Sequence, residues 1–353
     1  MASAELEAAP SRQQGYRPWL QRVIEASALP PFLAGIGIAL GQLGLFFAWH
    51  GLGWALGVGD PGDPFFWQQM FGPNVINAAL IGYAPAAMAW SRREALGELT
   101  RLAPLLPSAG GDLRARIECF PRWPMALAGA GFGLLVVPLL VFDPSLHSVW
   151  RHVDGFGRAW LVFVNVLVGW LMTRSVVEEL RLAHVFSRAG ERVTEVDLFD
   201  LAPLEPFARR AVESVLVWVV GASLLSLIFA GDDWASDTLP FLVAAVLIPS
   251  GVAFAQTLAG VHRRIRAAKQ TELARIHTQA RADRDVLLGG SGGRAEAAAR
   301  LPALLALRAQ VADVREWPVD LPTLARLAGF LGIGLASWIG AALVDAAIEA
   351  TLR

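Results

Sequence analysis

Charged residues are scarce in this chain of 353 residues. They make up 17% of the sequence, whereas a typical soluble globular domain has about 25%. Hydrophobic residues account for 55%, and the mean hydropathy is +0.47. This balance argues against a water-soluble protein and favours one embedded in a lipid bilayer.

Cysteine and lysine are almost missing. The single cysteine, Cys119, has no second thiol for a disulfide and cannot hold a metal cluster alone. Lys269 is the one lysine beside 29 arginines. Together with abundant alanine, glycine and leucine, this preference for arginine is typical of a GC-rich bacterial genome. We therefore expect a bacterial inner-membrane protein.

The sequence also lacks the common catalytic motifs. It has no phosphate-binding Walker loop, no dinucleotide-binding glycine fingerprint and no nucleophile elbow around a serine. His147 and His152 share a short loop with Asp143 and Asp154, but this spacing matches no metal motif, and we expect solvated side chains there. The sequence predicts neither an enzyme nor a cofactor, metal or nucleic-acid site.

Apolar residues are gathered into blocks long enough for the roughly 20-residue helix that crosses a bilayer. Seven such blocks occur, at 31–57, 74–91, 125–142, 159–174, 214–230, 239–260 and 324–346. We therefore predict an all-α, polytopic membrane protein with seven transmembrane helices.

Basic residues indicate the orientation, because they are retained on the cytoplasmic side of short loops. If the seven spans alternate, one side receives 3 basic and 9 acidic residues, and the other receives 27 basic and 22 acidic residues. The loops 58–73 and 231–238 contain acids but no lysine or arginine. This asymmetry predicts a cytoplasmic N-terminus and a periplasmic C-terminus.

Four regions follow from this topology. They are a cytoplasmic or interfacial segment at 1–30, six transmembrane helices at 31–260 with cytoplasmic loops at 92–123 and 175–213, a cytoplasmic helical hairpin at 261–321, and the seventh helix with a short outer tail at 322–353. The glycines of LLGGSGGR, at 287–294, permit the chain reversal that the hairpin requires.

Three spans are expected to continue into the cytoplasm as charged helices, at 91–102, 173–188 and 261–285. Each extension contains a Glu-Leu pair, beginning at Glu98, Glu179 and Glu272. This recurrence suggests an internal repeat of the kind found in transporters, although glutamate and leucine are common in any helix of this composition.

The predicted hairpin and the acidic loop before span five both need contacts. Leu301, Leu304, Leu305 and Val311 form an apolar stripe that requires another cytoplasmic segment or another subunit. In the loop 194–210, Asp197, Asp200 and Glu205 are expected to pair with arginines of the basic arms, while neighbouring aliphatic residues supply most of the contact energy.

The seventh helix carries the main candidate for a functional face. Ser337, Ala341, Asp345 and Glu349 recur at four-residue spacing, so they share one side of a helix with the acids at its outer end. A second ridge of small residues, which allows close helix packing in lipid, consists of Gly332, Ala336 and Gly340. In a symmetric oligomer the acids would form rings that attract cations. The alternative is a helix end that simply meets water.

Polar residues inside the spans are the other candidates, because they are costly in lipid and often functional. Gln42, Asn77 and Asn165 are the main examples, and each is expected to bridge helices more often than to touch a substrate. Gly37 and Gly41 of the first span are expected to serve helix packing. No charged residue is central in any span, which argues against a proton pump or voltage sensor.

Three classes of function remain. The first is a homo-oligomeric ion channel, with the last helix lining a cation-attracting pore and the cytoplasmic helices forming its base. The second is a membrane-bound sensor or scaffold that engages a cytoplasmic protein through 261–321. The third is a secondary transporter. In all three classes the protein is embedded in the lipid bilayer.

Overall fold

The computed structural model describes residues 19–64, 66–107, 110–118, 152–227, 235–289 and 293–319, with a few helical positions at 127, 129 and between 322 and 332. Every regular element in these ranges is helical, which confirms the predicted all-helical class. The α-helices are α1 (Trp19–Ala26), α2 (Pro31–Ala55), α3 (Gly72–Arg101), α4 (Gly110–Glu118), α5 (Gly155–Glu191), α6 (Glu205–Ser226), α7 (Ala235–Gly289) and α8 (Arg294–Asp313). A π-helical turn covers Phe66–Phe71, and 3-10 turns cover Ala103–Leu105 and Ala202–Leu204.

Two of the described helices, α2 and α5, are long and apolar enough to cross a membrane. They contain the predicted first and fourth spans. The rest of the chain buries 17% of the most apolar stretch of α2 and 33% of that of α5. The predicted third and seventh spans lie almost entirely outside the described residues. Within the described ranges, length and apolar composition therefore support two of the seven predicted spans.

Three helices continue without interruption beyond their apolar segments. These are α3, which ends at Arg101, α5, which ends at Glu191, and α7, which ends at Gly289. At 1.5 Å per residue the 55-residue α7 is about 80 Å long, more than twice the roughly 30 Å hydrocarbon thickness of a bilayer. The three predicted charged extensions are thus continuous with the helices that precede them.

The extensions assemble into a helical layer, here called the inner layer in keeping with the predicted orientation. It consists of the C-terminal parts of α3, α5 and α7, the N-terminal part of α6, and the helices α4 and α8. The layer has its own hydrophobic core, which includes Leu99, Leu102, Leu113, Ile117, Phe186, Phe207, Val261, Ile265, Ile276 and Val311. Because each fully buried side chain of this kind contributes roughly 1.5–3 kcal/mol, the layer is stabilised as a soluble domain is.

A second core lies at the opposite, outer end, where residues 56–71 join α2 to α3. It is aromatic: the ring of Phe46 lies 5.5 Å from those of both Phe66 and Trp160, centroid to centroid. Phe46 is completely buried. Pairs of aromatic rings at this separation add about 0.5–1.5 kcal/mol beyond their buried area. The helices are therefore packed tightly at both ends.

Two pairs of glycines set the closest helix crossings. Gly35 of α2 faces Gly82 of α3, and a Cβ on Gly35 would lie 2.7 Å from the Gly82 carbonyl oxygen. Gly190 of α5 faces Gly260 of α7, where a Cβ on either would collide with the other helix's backbone. At Gly37 and Gly41, which were expected to serve packing, no described heavy atom lies within 4 Å of an added Cβ. The contacting ridge of α2 is the one through Gly35.

The helix α8 packs back against α7, and its apolar stripe differs from the predicted one by one position. Gly293, at a φ of +100°, begins α8, and only glycine adopts this conformation readily. Val311 is fully buried, and Leu304 and Leu307 pack beside it against the inner core. Leu305, however, is 50% exposed. The stripe thus finds its partner in the same chain, because α8 folds back on α7.

The acidic loop makes local contacts rather than the predicted pairs with the basic arms. Asp197 accepts a hydrogen bond from the backbone N–H of Phe199, and Asp200 accepts one from that of Ala202. Glu205 pairs with Arg209 one turn further along α6. The two aspartates therefore stabilise turns, while Leu198 and Phe207 of the same segment enter the inner core.

Candidate functional site

The residues predicted for the seventh helix are mostly outside the described part of the chain. These are Ser337, Ala341, Asp345, Glu349, Ala336 and Gly340. Gly332 is described: it is helical, and no described heavy atom lies within 4 Å of a Cβ placed on it. The pore and packing faces predicted for this helix therefore rest on the sequence.

Gln42 joins α2 to α3 through Asn74, which also contacts α5. The Asn74 Oδ1 atom accepts hydrogen bonds of 2.9 Å from both Gln42 Nε2 and Trp160 Nε1. All three side chains are buried. Sequence analysis did not single out Asn74, because it lies at the edge of the second predicted span and looks like a residue that meets water.

Asn77 and Asn165, the other predicted polar residues, have different surroundings. Asn77 is buried close to one turn beyond Asn74, and its Oδ1 has no hydrogen-bond partner among the described residues. Asn165 Nδ2 donates to the carbonyl of Leu161, one turn earlier in α5, at 2.9 Å. That bond lies within one helix and does not join α5 to a neighbour.

The most extensive polar cluster in the described structure was not predicted as a site. We call it the inner charged network, and its members are Ser91, Arg92, Glu178, Glu179, Arg210 and Ser214. They come from α3, α5 and α6, and all six side chains are at most 5% exposed. Each lies within about one turn of the end of a predicted span. The network therefore marks the boundary between the apolar segments and the inner layer.

Glu179 is the centre of this network. Its Oε2 accepts hydrogen bonds from Arg210 Nη2 at 2.7 Å and from Ser214 Oγ at 2.9 Å. Its Oε1 accepts a hydrogen bond from Ser91 Oγ, and Arg210 Nη2 also donates to that hydroxyl at 2.7 Å. One carboxylate thus holds together side chains from two other helices.

Arg92 extends the network toward the N-terminal helix. Its Nη2 donates to Glu178 Oε1 at 2.6 Å, and its Nη1 lies 3.6 Å from Glu25 Oε1 on α1. Glu25 is partly exposed, whereas Glu178 is buried. Charge-assisted bonds of this kind are roughly twice as strong as neutral ones. Through Arg92, α1 is attached to the same boundary.

Two further carboxyl groups lie next to the network, Glu98 on α3 and Glu213 on α6. Burial raises the pKa of Glu98, and Arg101 and Arg209 oppose that rise; Glu98 Oε1 lies 2.5 Å from Arg101 Nη1. Burial likewise raises the pKa of Glu213 to about 7, against the opposing charge of Arg210, whose Nη1 is 3.9 Å away. Glu213 is therefore a boundary group whose charge changes near neutral pH, and the pKa of Glu98 is shifted in the same direction.

The network's chemistry suits positioning rather than catalysis. Its carboxylates are engaged by arginine and serine donors, and its members include no histidine, lysine or cysteine that would form a nucleophile–base pair with them. Among the residues that the structure describes, no group of three or more His, Cys, Asp or Glu is placed to hold a metal ion. A buried network of opposite charges holds its helices in one arrangement, because separating a pair such as Arg210 and Glu179 leaves an uncompensated buried charge.

One sequence signal did point toward this network. Two of the three Glu-Leu pairs place their glutamates in buried positions, Glu98 at 1% and Glu179 at 2% exposure, whereas Glu272 of the third pair is partly exposed.

The chain resembles no protein that would identify the site, since no family model, curated protein or solved structure matches it.

Proposed function

We propose that this chain is a multi-pass inner-membrane protein of the sensor or scaffold class, in which the inner layer conveys the arrangement of the membrane helices to a cytoplasmic partner. The observation that carries this proposal is the inner charged network. It joins α3, α5 and α6 at the point where their apolar segments end. A helix that shifts in the membrane must carry its neighbours with it, because breaking the contacts would leave buried charge unpaired.

The exposed face of α2 supports the membrane location. Its large apolar side chains are between 43% and 62% exposed, and they include Phe32, Leu33, Ile36, Leu40, Leu45 and Leu52. Soluble monomers rarely expose contiguous apolar patches larger than a few hundred Å². A core helix of a soluble protein would be covered on this face, so lipid is the natural environment of α2. We extend this environment to all seven predicted spans, with the N-terminus in the cytoplasm.

The α7–α8 hairpin supports the scaffold role. It extends the chain well past the end of the apolar segment of α7, and its tip residue Leu288 is 77% exposed. It is attached to the rest of the inner layer: Arg264 of α7 donates to the backbone carbonyls of Val193 and Thr194, just beyond the end of α5. A partner that binds the hairpin is therefore connected to the membrane helices through α5 and α7.

Cysteine labelling tests the topology. In a Cys119→Ser background, Asp60→Cys should react with a membrane-impermeant maleimide added to intact spheroplasts, while Leu288→Cys should react only after the membrane is opened. Both positions are exposed in the described structure. Reaction of Leu288→Cys in sealed spheroplasts would contradict the proposed orientation.

Hydrogen–deuterium exchange in lipid nanodiscs tests the coupling. Glu179→Gln should accelerate exchange in the inner ends of α3 and α6 as well as in α5. Asp112→Asn is the matched control, because Asp112 pairs with Arg192 on the surface, where both side chains are 42–50% exposed. Its effect should stay near that pair. Faster exchange confined to α5 in Glu179→Gln would count against coupling through the network.

The ion channel is the second candidate, and the seventh helix is the feature that favours it. Its predicted acids, Asp345 and Glu349, and the small-residue ridge through Gly332 suit a homo-oligomeric pore. The test is cation flux into liposomes that contain the purified protein. Flux that falls or loses selectivity in Asp345→Asn/Glu349→Gln would favour the channel, whereas unchanged flux would place the acids outside the pore. A secondary transporter would show saturable uptake and needs no ring of subunits.

A further inference from the structure

A small cavity opens at the outer end of the described structure, far from the inner charged network. It has a volume of about 100 Å³ and is lined by residues of α2, the loop after it, and the start of α5. The lining includes His50, Trp54, Asp60, Phe66, His152 and Asp154. These residues come from three separate segments of the sequence, and the fold brings their imidazole, aromatic and carboxylate groups together.

The floor of the cavity contains an unsatisfied polar atom. His50 is only 4% exposed, and its Nε2 has no hydrogen-bond partner among the described residues. Its ring packs against the rings of Phe46 and Phe66, at centroid distances of 4.6 and 5.0 Å. Leaving a buried polar atom unpaired costs roughly 1–3 kcal/mol. A ligand that donates a hydrogen bond to Nε2 would remove this cost.

The walls and mouth of the cavity suit a cation. The ring of Trp54 lies 5.1 Å from that of Phe66 and presents an aromatic surface, and such surfaces attract ammonium groups. At the mouth, Asp60 accepts the backbone N–H of Gly62 with Oδ1 at 2.7 Å, and Asp154 accepts that of Gly157 with Oδ1 at 2.6 Å. Both carboxylates are thereby held in place beside the cavity.

The backbone also keeps this mouth open. Gly59 has a φ of +80°, and a Cβ on it would lie 2.7 Å from Asp154 Oδ2. Any larger residue would therefore be strained and would crowd the carboxylate. A cavity of about 100 Å³ is well below the roughly 300–1,000 Å³ of drug-sized pockets. It has room for a ligand with only a few heavy atoms.

We propose that this cavity binds a primary ammonium group. The ammonium would donate to His50 Nε2, lie against Trp54 and Phe66, and be neutralised by Asp60 and Asp154. A quaternary ammonium fits less well, because it has no N–H to donate. A metal ion fits less well too, since the described residues include no group of three or more His, Cys, Asp or Glu placed to hold one. The primary ammonium has two possible sources, a small soluble amine and the headgroup of phosphatidylethanolamine.

Binding of ethylammonium chloride to the full chain tests this proposal. Isothermal titration calorimetry would use purified protein in phosphatidylcholine nanodiscs, in phosphate buffer at constant ionic strength and about pH 8, where an ordinary imidazole is neutral. We expect saturable binding of ethylammonium and none of tetraethylammonium. Affinity should fall about tenfold or more in Asp60→Asn and in His50→Leu, since each removes one contact to the charged group. Asp285→Asn, an exposed carboxylate far away on α7, is the matched control and should bind as the wild type does.

Nanodiscs that contain phosphatidylethanolamine distinguish the two sources. Weaker ethylammonium binding in these discs would identify the lipid headgroup as an occupant, and equal binding would identify a soluble amine.

Absence of saturable binding, equal binding in Asp60→Asn, or binding of calcium or zinc in place of the amine would overturn the proposal. If His50→Leu does not fold, Asp60→Asn and the comparison of ethylammonium with tetraethylammonium still test the ammonium site. The binding site and the sensor role can fail separately. Ethylammonium binding without any change in hydrogen–deuterium exchange of the inner layer would uphold the site and count against signalling.

Discussion

Arg210 of α6 and Glu179 of α5 form an ion pair that is almost completely shielded from solvent. Their Nη2 and Oε2 atoms lie 2.7 Å apart, and the two side chains are 1% and 2% exposed. Ser91 and Ser214 supply further hydrogen bonds to the same carboxylate. Because the charges are buried, each partner depends on the other far more than in a surface pair.

Removing one partner of this pair should destabilise the protein strongly. Glu179→Ala leaves the Arg210 guanidinium buried without its counter-charge, which typically costs about 3–5 kcal/mol. We expect a large fall in the thermal unfolding midpoint of the protein in detergent. The double substitution Glu179→Leu/Arg210→Met should recover much of the loss, since it removes both charges of the pair. Asp112→Ala, at an exposed pair, should cost no more than about 1 kcal/mol; an equal cost for both single variants would contradict the argument.

The stability of the boundary should decrease as the pH rises through about 7. Burial raises the pKa of Glu213 to about 7 in the folded protein, so folding favours the protonated carboxyl. The resulting stabilisation is complete below the pKa of an unfolded glutamate, about 4.3, and is lost as the pH rises through the folded value. Glu213 faces Arg210, Arg209, Glu98 and Glu94, and Glu98 shifts in the same direction.

Glu213→Gln tests this pH dependence. The variant should show a smaller fall in the unfolding midpoint between about pH 5 and pH 8 than the wild type, because a neutral amide cannot ionise. Its stability relative to the wild type should rise toward the higher pH. Glu205→Gln is the control, since the Glu205 side chain is 65% exposed. Identical pH profiles for the wild type and Glu213→Gln would show that folding does not raise the pKa of this carboxyl.

The crossing of α5 and α7 should not tolerate a methyl group. In Gly190→Ala or Gly260→Ala the new Cβ would collide with the backbone of the facing helix, so the helices must separate and lose contacts in the inner core. We expect losses of several kcal/mol, the range of overpacked or disrupted cores. Gly37→Ala is the matched control in open space, and alanine there should be neutral or favour the helix by up to about 1 kcal/mol. The measurement is again the unfolding midpoint in detergent.

Asn74 should contribute more to stability than Asn165, although both lie in or beside predicted spans. Asn74→Leu removes the acceptor for Gln42 and Trp160, and hydrogen bonds between membrane helices average about 0.6 kcal/mol and reach about 1.7. A loss of about 1–2 kcal/mol is therefore expected in unfolding by a denaturing detergent. Asn165→Leu removes a bond within one helix and should cost less. The reverse order would mean that Asn74 does not hold the three helices together.

Local features of the chain predicted much of the fold. The charged extensions of α3, α5 and α7 follow from helix-forming residues that continue past each apolar block, and the hairpin follows from the glycines before Arg294. Errors arose where the outcome depended on which neighbour a helix meets. Gly35, rather than Gly37 or Gly41, faces α3, and Leu305 faces away from α7, because the rotation of a packed helix is set by its partner's surface.

The amino-acid sequence by itself determined the all-helical class, the apolar stretches of α2 and α5 and the uneven distribution of arginine, since these depend on composition and on the period of the helix. Only the tertiary structure decided which charges are buried. Ser91 and Arg210 are 119 residues apart in the chain and 2.7 Å apart between Oγ and Nη2 in the fold. His50 of α2 and Asp154, just before α5, reach one cavity from distant parts of the chain. A charge near the end of a span has the same sequence signature whether it meets water or another charge, and packing alone distinguishes the two.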